Sequence, residues 1–230
     1  MRKFGLVLLF MTFSIPLFAN SETQLQKAAN VLNEIMQTPD QGIPHDLLTK
    51  AVCVGVIPSE FKGAFIVGGS YGRGVLVCRK GGNGEWGAPS LFTLGGASVG
   101  FQIGGKATDV VFLVMNPSGV KKLVADSVKL GADLSVAGGP VGRSAEAATD
   151  AELHAEILSY SRSRGLFAGV SLQGAVLKQD WDDNQQLYGR RVSAKEILVD
   201  GAVPAPAAAR PLDRTLVKYS PRGGQRFGEV

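Results

Sequence analysis

The feature that most constrains the fold is a succession of short, apolar, β-branched runs separated by glycine-dense segments. The 230 residues include 30 glycines, and glycine is the usual residue of tight turns between strands. Runs at 51–57, 74–79 and 109–115 have the length and composition of buried strands. Segments 68–74 and 81–84 are predicted to turn the chain between strands. We therefore expect an α+β fold whose mainly antiparallel sheet forms a sandwich or a barrel.

Helical periodicity marks the segment 22–38, which has an apolar stripe and a polar face. Ser21 is a suitable N-cap, and Pro39 ends the run. The stripe either packs on the core or lies on a membrane, and the single lysine of the polar face is fewer than membrane-surface helices carry. One or two further helices are expected, the clearest at 120–129. The residues of the stripe considered for lipid contact are Leu25, Leu32, Ile35 and Met36.

The start of the chain, residues 1–19, has the order of a secretory leader. Arg2 and Lys3 precede an apolar stretch, and the small residue Ala19 follows it. The stretch is short for a membrane span, which needs about 20 residues, so an uncleaved anchor is the less favoured alternative. We expect cleavage after Ala19, with the next two residues as alternative sites, and a periplasmic or secreted domain at 20–203.

Net charge gives little support to a nucleic-acid partner, and none is expected. The formal charge is +4, and removal of Arg2 and Lys3 with the leader leaves 22 basic against 20 acidic side chains. A basic surface must therefore be a local patch. Beyond residue 203 the chain is rich in Pro, Ala and Gly and loses its apolar periodicity. Residues 204–230 are therefore predicted to be a disordered tail.

The two cysteines, Cys53 and Cys78, lie in strand-like runs of the expected exported domain. An even count in an oxidising compartment predicts a disulfide, with two buried free thiols as the alternative. No Cys-x-x-Cys spacing occurs, and His45 and His154 have no ligand partner at helical or zinc-finger spacing. No metal site is therefore expected.

No nucleophile–base–orienter constellation can be assembled from these residues, so neither an enzyme nor a cofactor is expected. A hydrolase that uses His154 ranks last among the hypotheses. The acidic segment 180–184 lacks the glycine and the terminal glutamate of a calcium-binding loop and is interpreted as a plain turn. Glycine-rich turns beside basic side chains suit an anion-binding patch. The basic residues considered for this patch are Lys62, Arg73, Arg79 and Lys106.

An ordered series of motifs resembles the SYLF domain family. The opening motif is KGAFIVGGSYGRG at 62–74, and the central motif is SVGFQIG at 98–104. KLGAD at 129–133 and AGGPVGR at 137–143 follow, and the most specific stretch is SYSRSRGLFAGVSLQG at 159–174. The pattern closes with Tyr188, Gly189, Ile197 and Leu198. The resemblance is collinear from about residue 28 to residue 201, which is nearly the whole expected domain.

The resemblance implies a phospholipid-binding domain without enzymatic activity, in which an N-terminal amphipathic segment contributes to membrane contact. Some fungal members bind and bundle actin, but an exported domain would not meet actin, so actin is not expected as a partner. The leading hypothesis is an exported phospholipid-binding domain of the cell envelope. The apolar stripe of 22–38 would contact acyl chains, and the four basic residues named above would bind head-group phosphate. The alternative is an envelope scaffold that binds a protein partner through its tail and sheet edge.

Overall fold

The computed structural model describes residues 19–38, 42–58, 69–97, 108–142, 154–163 and 166–221. Several predictions fall outside these described residues. They are the leader up to residue 18, the strand-like residues 64–68 and 98–103, and the last part of the expected tail, 222–230. Within the described ranges, no helix combines the length and the apolar composition needed to cross a bilayer.

Nine strands form one curled sheet, which confirms the predicted α+β class. The strands are β1 (Cys53–Ile57), β2 (Gly69–Cys78), β3 (Ser90–Ala97), β4 (Asp109–Val114), β5 (Ser127–Lys129), β6 (Val136–Gly138), β7 (Ile157–Ser163), β8 (Leu166–Gly169) and β9 (Val176–Gln179). Their order is β5-β9-β3-β2-β1-β4-β7-β6, and β8 also pairs with β7. All these pairings are antiparallel except the one between β6 and β7. An isolated bridge joins Leu130, directly after β5, to Leu134, two residues before β6, in the connection between these two strands.

Six α-helices accompany the sheet within the described ranges, so the expectation of one or two beyond the N-terminal helix is too low. The helices are α1 (Ala19–Met36), α2 (His45–Lys50), α3 (Pro117–Leu123), α4 (Trp181–Tyr188), α5 (Ala194–Leu198) and α6 (Arg210–Tyr219). The first of them confirms the predicted amphipathic helix. Ser21 lies inside α1 and is not its N-cap, and its hydroxyl donates a hydrogen bond to Gln186 Oε1 at 3.1 Å.

Strand alternation sorts the apolar side chains into two cores on opposite faces of the sheet. In β1, Val54 and Val56 pack with residues of α1, α2 and α6, and we call this the first core. Cys53 and Ile57 point to the other face and pack with residues of α3 and α5, which we call the second core. Every residue of β1 is buried, as its apolar composition predicts.

Glycine provides space at the centre of the sheet, where a turn is predicted at 68–74. That prediction is wrong for residues 69–74, which belong to β2. A Cβ on Gly74 would lie 2.4 Å from Phe92 Cζ, and one on Gly55 would lie 2.1 Å from Phe112 Cζ. The two aromatic rings occupy this space and meet edge to face, with centroids 5.6 Å apart. The glycines of β2 and β1 therefore make room for the large side chains of the second core.

Helix α3 ends at Leu123, so the predicted helix at 120–129 is wrong at both of its ends. It begins earlier because the Asn116 side chain caps it, accepting a hydrogen bond from the Gly119 N–H at 2.8 Å. The last three residues of the predicted helix form β5, which pairs with β9. Val128 is buried there between two exposed neighbours, the alternation expected of an edge strand with one face on the core.

The acidic segment 180–184 starts a helix, so its interpretation as a plain turn is wrong. Asp180 is the N-cap of α4, and its carboxylate accepts a hydrogen bond from the Asp183 N–H at 3.0 Å. Negative side chains are favourable at this position because they oppose the partial positive charge of a helix N-terminus. Gly189, with φ of 69°, ends the helix in the left-handed conformation.

The predicted disordered tail is wrong for residues 207–219, which form a 3₁₀ turn followed by α6. Leu212, Leu216 and Tyr219 are buried in the first core. The Tyr219 hydroxyl lies 2.9 Å from Asn33 Oδ1 on α1. The spacing of four and three residues is helical, and Pro211 suits the first turn of a helix. The surrounding proline and alanine composition conceals this short amphipathic pattern.

The predicted disulfide is confirmed. Cys53 and Cys78 are directly opposite each other on β1 and β2, and their sulfur atoms are bonded. Both residues are buried in the second core. Their backbones lie close, with Cα atoms 4.0 Å apart, and the flanking pair, Val52 and Arg79, is joined by a backbone hydrogen bond of 2.8 Å.

Candidate functional site

The four apolar residues predicted to touch lipid lie against the first core. Leu25 and Leu32 have no exposed surface, and Ile35 is 2% exposed. Met36 is partly buried and packs against the same core. The apolar stripe of α1 therefore holds the helix on the sheet. Leu25, Leu32 and Ile35 offer no surface to an acyl chain while the helix packs there.

Arg79, predicted to bind head-group phosphate, is 3% exposed and faces the interior. Its guanidinium donates hydrogen bonds to the carbonyl oxygens of Ala51, Gly84 and Ser220 at 3.3, 3.0 and 2.9 Å. It also donates to the Ser220 hydroxyl at 2.6 Å, and it lies 4.1 Å over the Trp86 ring. Burial lowers the pKa of this guanidinium from its ordinary value. Arg79 therefore anchors the end of α6 to the sheet.

Arg73, on β2, remains partly accessible, with 35% of its side chain exposed. It forms ion pairs with Asp183 and Asp180 at the start of α4, the second at 3.8 Å. Burial raises the pKa of the Asp183 carboxyl, the Asp180 charge raises it further, and the Arg73 guanidinium opposes both effects. These two carboxylates are engaged by Arg73 and by the α4 cap, which makes them poor calcium ligands. The charge of Arg73 is correspondingly compensated.

Several strand ends meet at one end of the sheet, which we call the rim. The rim comprises residues 69–71, 95–97, 109, 163 and 166. The pairings Gly69 with Ala97, Asp109 with Arg162 and Ser163 with Leu166 place these residues at the same end. Lys62 and Lys106, the remaining predicted phosphate ligands, lie outside the described residues. They belong to the connections 58–68 and 98–108, which leave and rejoin the sheet at the rim.

Two large apolar side chains are exposed at the rim. Tyr71, on β2, is 52% exposed, and Leu166, at the start of β8, is 77% exposed. On β7, one residue before the partner of Leu166, the Arg162 guanidinium pairs with Asp109 at 2.6 Å and with Glu34 of α1. Tyr71 shares the face of β2 that carries Val75 and Val77 of the first core, whereas Leu166 pairs with Ser163 and lies on the other face of the sheet. The two apolar side chains therefore share one end of the sheet, and the sequence alone does not show that they are exposed.

The outer face of α6 carries charge that the sequence analysis missed. Arg210, Arg214 and Lys218 are exposed at intervals of four residues, and Val217 between them is 48% exposed. The interval of four is the available signal, because it places side chains on one side of a helix. The Pro- and Ala-rich composition of the segment predicts disorder instead of a helix, which conceals this interval.

The two histidines considered for catalysis or metal binding are far apart in the sequence. His45 Nδ1 lies 3.3 Å from the Tyr219 carbonyl oxygen, and the His154 side chain is exposed. In the part of the chain that the structure describes, no group of three or more His, Cys, Asp or Glu residues is placed to hold a metal ion.

Comparison with known proteins identifies the family. Residues 95–219, more than half of the chain, match the sequence model of Ysc84, described as a Las17-binding protein actin regulator. LAS seventeen-binding protein 3 of Saccharomyces cerevisiae is 38% identical over 224 residues, covering 92% of this chain and 48% of the relative. An SH3 domain-containing protein of Schizosaccharomyces pombe is 40% identical over 209 residues, 87% of this chain and 48% of the relative. Human SH3 domain-containing YSC84-like protein 1 is 33% identical over 221 residues, 92% and 64% respectively.

These relatives correct two expectations. The expectation that actin is not a partner is wrong, because the matched family is described as an actin regulator. The expected periplasmic or secreted location is also wrong, because the relatives are yeast and human proteins named for Las17 binding and for an SH3 domain. The envelope scaffold depends on that location and is withdrawn with it.

The chain spans about half the length of the fungal relatives and 64% of the human one. Activities of those whole proteins therefore do not transfer to it directly. The family assignment itself rests on identities of 33–40% over most of this chain and on the agreement of the motifs at 98–104, 129–143 and 159–174 with the matched region. The chain belongs to the Ysc84 family and carries its SYLF domain.

Proposed function

We propose that this chain is a non-enzymatic domain that binds phospholipid and contacts a membrane surface with its rim. The observation that carries the proposal is the pair of exposed apolar side chains, Tyr71 and Leu166, at the same end of the sheet. Tyrosine suits a membrane interface because its ring is apolar and its hydroxyl stays in water. Leucine gains about 1.5–3 kcal/mol when it is fully buried from water.

Basic residues in the connections at this end support the same surface. Lys62 and Lys106 belong to connections that join the sheet at the rim, and each lysine near an anionic membrane adds about 1 kcal/mol of attraction. Arg73 contributes less, since Asp180 and Asp183 compensate its charge. We therefore assign the apolar contact to the rim and the head-group contact mainly to the two lysines.

A binding role without catalysis agrees with the family description, which names a binding and regulatory role and no reaction. The carboxylates of α4 and the buried Arg79 serve helix capping and anchoring. Phospholipid binding is also what the SYLF motifs imply.

Replacement of both Tyr71 and Leu166 by serine is expected to lower vesicle binding by about 30-fold, equivalent to about 2 kcal/mol of lost apolar contact. The measurement is co-sedimentation with vesicles of phosphatidylcholine, with and without phosphatidylserine. Val199→Ser is the matched control, because Val199 is 52% exposed at the C-terminal end of α5 and away from the rim. Equal loss in both variants, or no binding by the unmodified chain, would overturn the proposal.

An actin regulator is the second candidate partner, favoured by the family description over residues 95–219. The probe is purified Las17 immobilised on beads, with the full chain in solution. We expect the beads to retain the unmodified chain. They should retain the Tyr71→Ser, Leu166→Ser variant equally well, since that variant alters only the proposed lipid contact. Failure of the chain to be retained would remove this candidate without affecting the vesicle result.

A further inference from the structure

Helix α6 has two faces of opposite character. Leu212, Leu216 and Tyr219 are buried in the first core. At 100° per residue, Arg210 and Arg214 lie opposite this stripe, and Val217 and Lys218 lie about 50° to either side of them. All four side chains are exposed. With a rise of about 1.5 Å per residue, the three cations span about 12 Å along the helix. We call these four residues the α6 basic face.

The three cations of this face lack carboxylate partners among the residues that the structure describes. No carboxylate oxygen within those ranges lies within the 4.0 Å ion-pair distance of Arg210, Arg214 or Lys218. The Lys218 ammonium lies 4.6 Å over the Tyr219 ring, which leaves its charge uncompensated. Asp213, the acidic residue of α6, lies at the side of the helix. Burial raises the pKa of its carboxyl, and the nearby charge of Lys80 opposes this effect.

The α6 basic face lies toward the end of the sheet opposite the rim. Ser220, directly after α6, is held by Arg79, and Arg79 follows the last residue of β2. Eight residues of strand separate Arg79 from Tyr71, which corresponds to about 26 Å at about 3.3 Å per residue. A membrane that touches the rim therefore leaves this end of the domain available to another partner.

We propose that the α6 basic face is a docking surface for an acidic protein segment in extended conformation. Alternate residues of an extended chain are about 6.6–6.8 Å apart, close to the rise of about 6 Å between side chains four residues apart on a helix. A segment with carboxylates at alternate positions therefore meets all three cations in register. Val217 supplies an apolar contact beside them.

Charge count favours a protein segment over a lipid surface at this face. Basic clusters that bind anionic membranes contain about 4–8 lysines and arginines, and the α6 basic face has three. A narrow stripe one helix wide matches a single extended chain better than a flat membrane. This inference goes beyond the proposed lipid function and does not depend on it.

The test compares two triple variants of the full chain with the same change in charge. One carries Arg210→Gln, Arg214→Gln and Lys218→Gln. The control carries Lys121→Gln, Lys129→Gln and Lys178→Gln, which are exposed lysines on α3, β5 and β9. The probe is a fluorescent twelve-residue peptide that alternates glutamate and serine and contains one leucine, with binding followed by fluorescence anisotropy at low and high salt.

We expect the α6 variant to bind the peptide about tenfold more weakly than the unmodified chain, because three exposed ion pairs at about 0.5 kcal/mol each together correspond to about one factor of ten. The control should change affinity less than about threefold by the same reasoning, and added salt should weaken binding of the unmodified chain. Equal loss in both variants, or no binding of the peptide at low salt, would overturn the proposal. Loss of vesicle binding in the α6 variant, with peptide binding retained, would assign the face to membranes and overturn it as well.

If the triple variant melts at a lower temperature than the unmodified chain, the single variants Arg210→Gln and Arg214→Gln are measured in its place. Each should weaken peptide binding about two- to fivefold. The vesicle assay with Tyr71→Ser and Leu166→Ser tests the rim separately, so failure of either proposal is distinguishable from failure of the other.

Discussion

Replacement of Arg79 by alanine is expected to lower the free energy of unfolding by about 3–5 kcal/mol, because it removes the shared donor of several hydrogen bonds in a buried site. The guanidinium joins three parts of the chain: the end of α2 through Ala51, the β2–β3 turn through Gly84, and the segment after α6 through Ser220. Alanine would remove this donor from the carbonyl oxygens of Ala51 and Gly84, which costs about 1–3 kcal/mol for each group that is left buried and unpaired. The Ser220 carbonyl oxygen would still accept a hydrogen bond from Trp86 Nε1 at 3.0 Å. Alanine would also leave a cavity beside Trp86.

Urea unfolding followed by far-ultraviolet circular dichroism measures this effect. Arg191→Ala is the matched control, because the Arg191 guanidinium also stacks on a tryptophan, at 4.5 Å from the Trp181 ring, but is exposed. An exposed cation–π contact contributes about 0.5–1 kcal/mol. A loss below about 1 kcal/mol for Arg79→Ala would show that hydrogen bonds from Arg79 do not hold α6 to the sheet.

Removal of the disulfide by Cys53→Ala and Cys78→Ala is expected to lower the free energy of unfolding by about 3 kcal/mol in the loop-entropy description. The bond closes a loop with a sequence separation of 25, and the unfolded chain without it gains the corresponding freedom. The double variant keeps both strands paired, since the backbone hydrogen bonds between β1 and β2 do not involve sulfur. The second core loses only the two sulfur atoms.

Thermal unfolding of the variant and of the unmodified chain, each with and without a reducing agent, measures the contribution. The unmodified chain should lose stability on reduction, whereas the double variant should be insensitive to the reducing agent. A melting temperature of the unmodified chain that does not change on full reduction would contradict the prediction, because the bond would then contribute nothing to the folded state.

The spacing of apolar residues along the sequence predicts a large part of the architecture. Apolar β-branched runs locate β1 and β4 because both are buried on two faces and need no polar alternation. The 3.6-residue period locates α1 because its stripe is long. A short element such as β5 contains too few residues to show a period of its own, and its pairing with β9 decides its state. Helix α6 has a helical apolar spacing, but the Pro- and Ala-rich segment before it conceals that spacing.

The candidate site was less predictable than the fold. The sequence identifies Arg79 as a cation but does not show that its side chain is buried. Ser220, which accepts a hydrogen bond from Arg79 in that buried site, is 141 residues away in the sequence. The same holds for Arg73, whose charge is compensated by Asp183 of α4, 110 residues away in the sequence. By contrast, Leu166 and Tyr71 have apolar side chains that composition assigns to the core, and only the strand pairing shows that they remain exposed.

The contact between α1 and α6 has a consequence for how the chain acquires its structure during synthesis. Asn33 and Tyr219 are hydrogen-bonded although 186 residues separate them, and both helices cover the first core. At the usual rate of about 5–20 residues per second, a ribosome needs about 10–40 seconds to add the intervening residues. During that interval the apolar stripe of α1 lacks the part of its cover that α6 supplies. The first core is therefore complete only after α6 has left the ribosome.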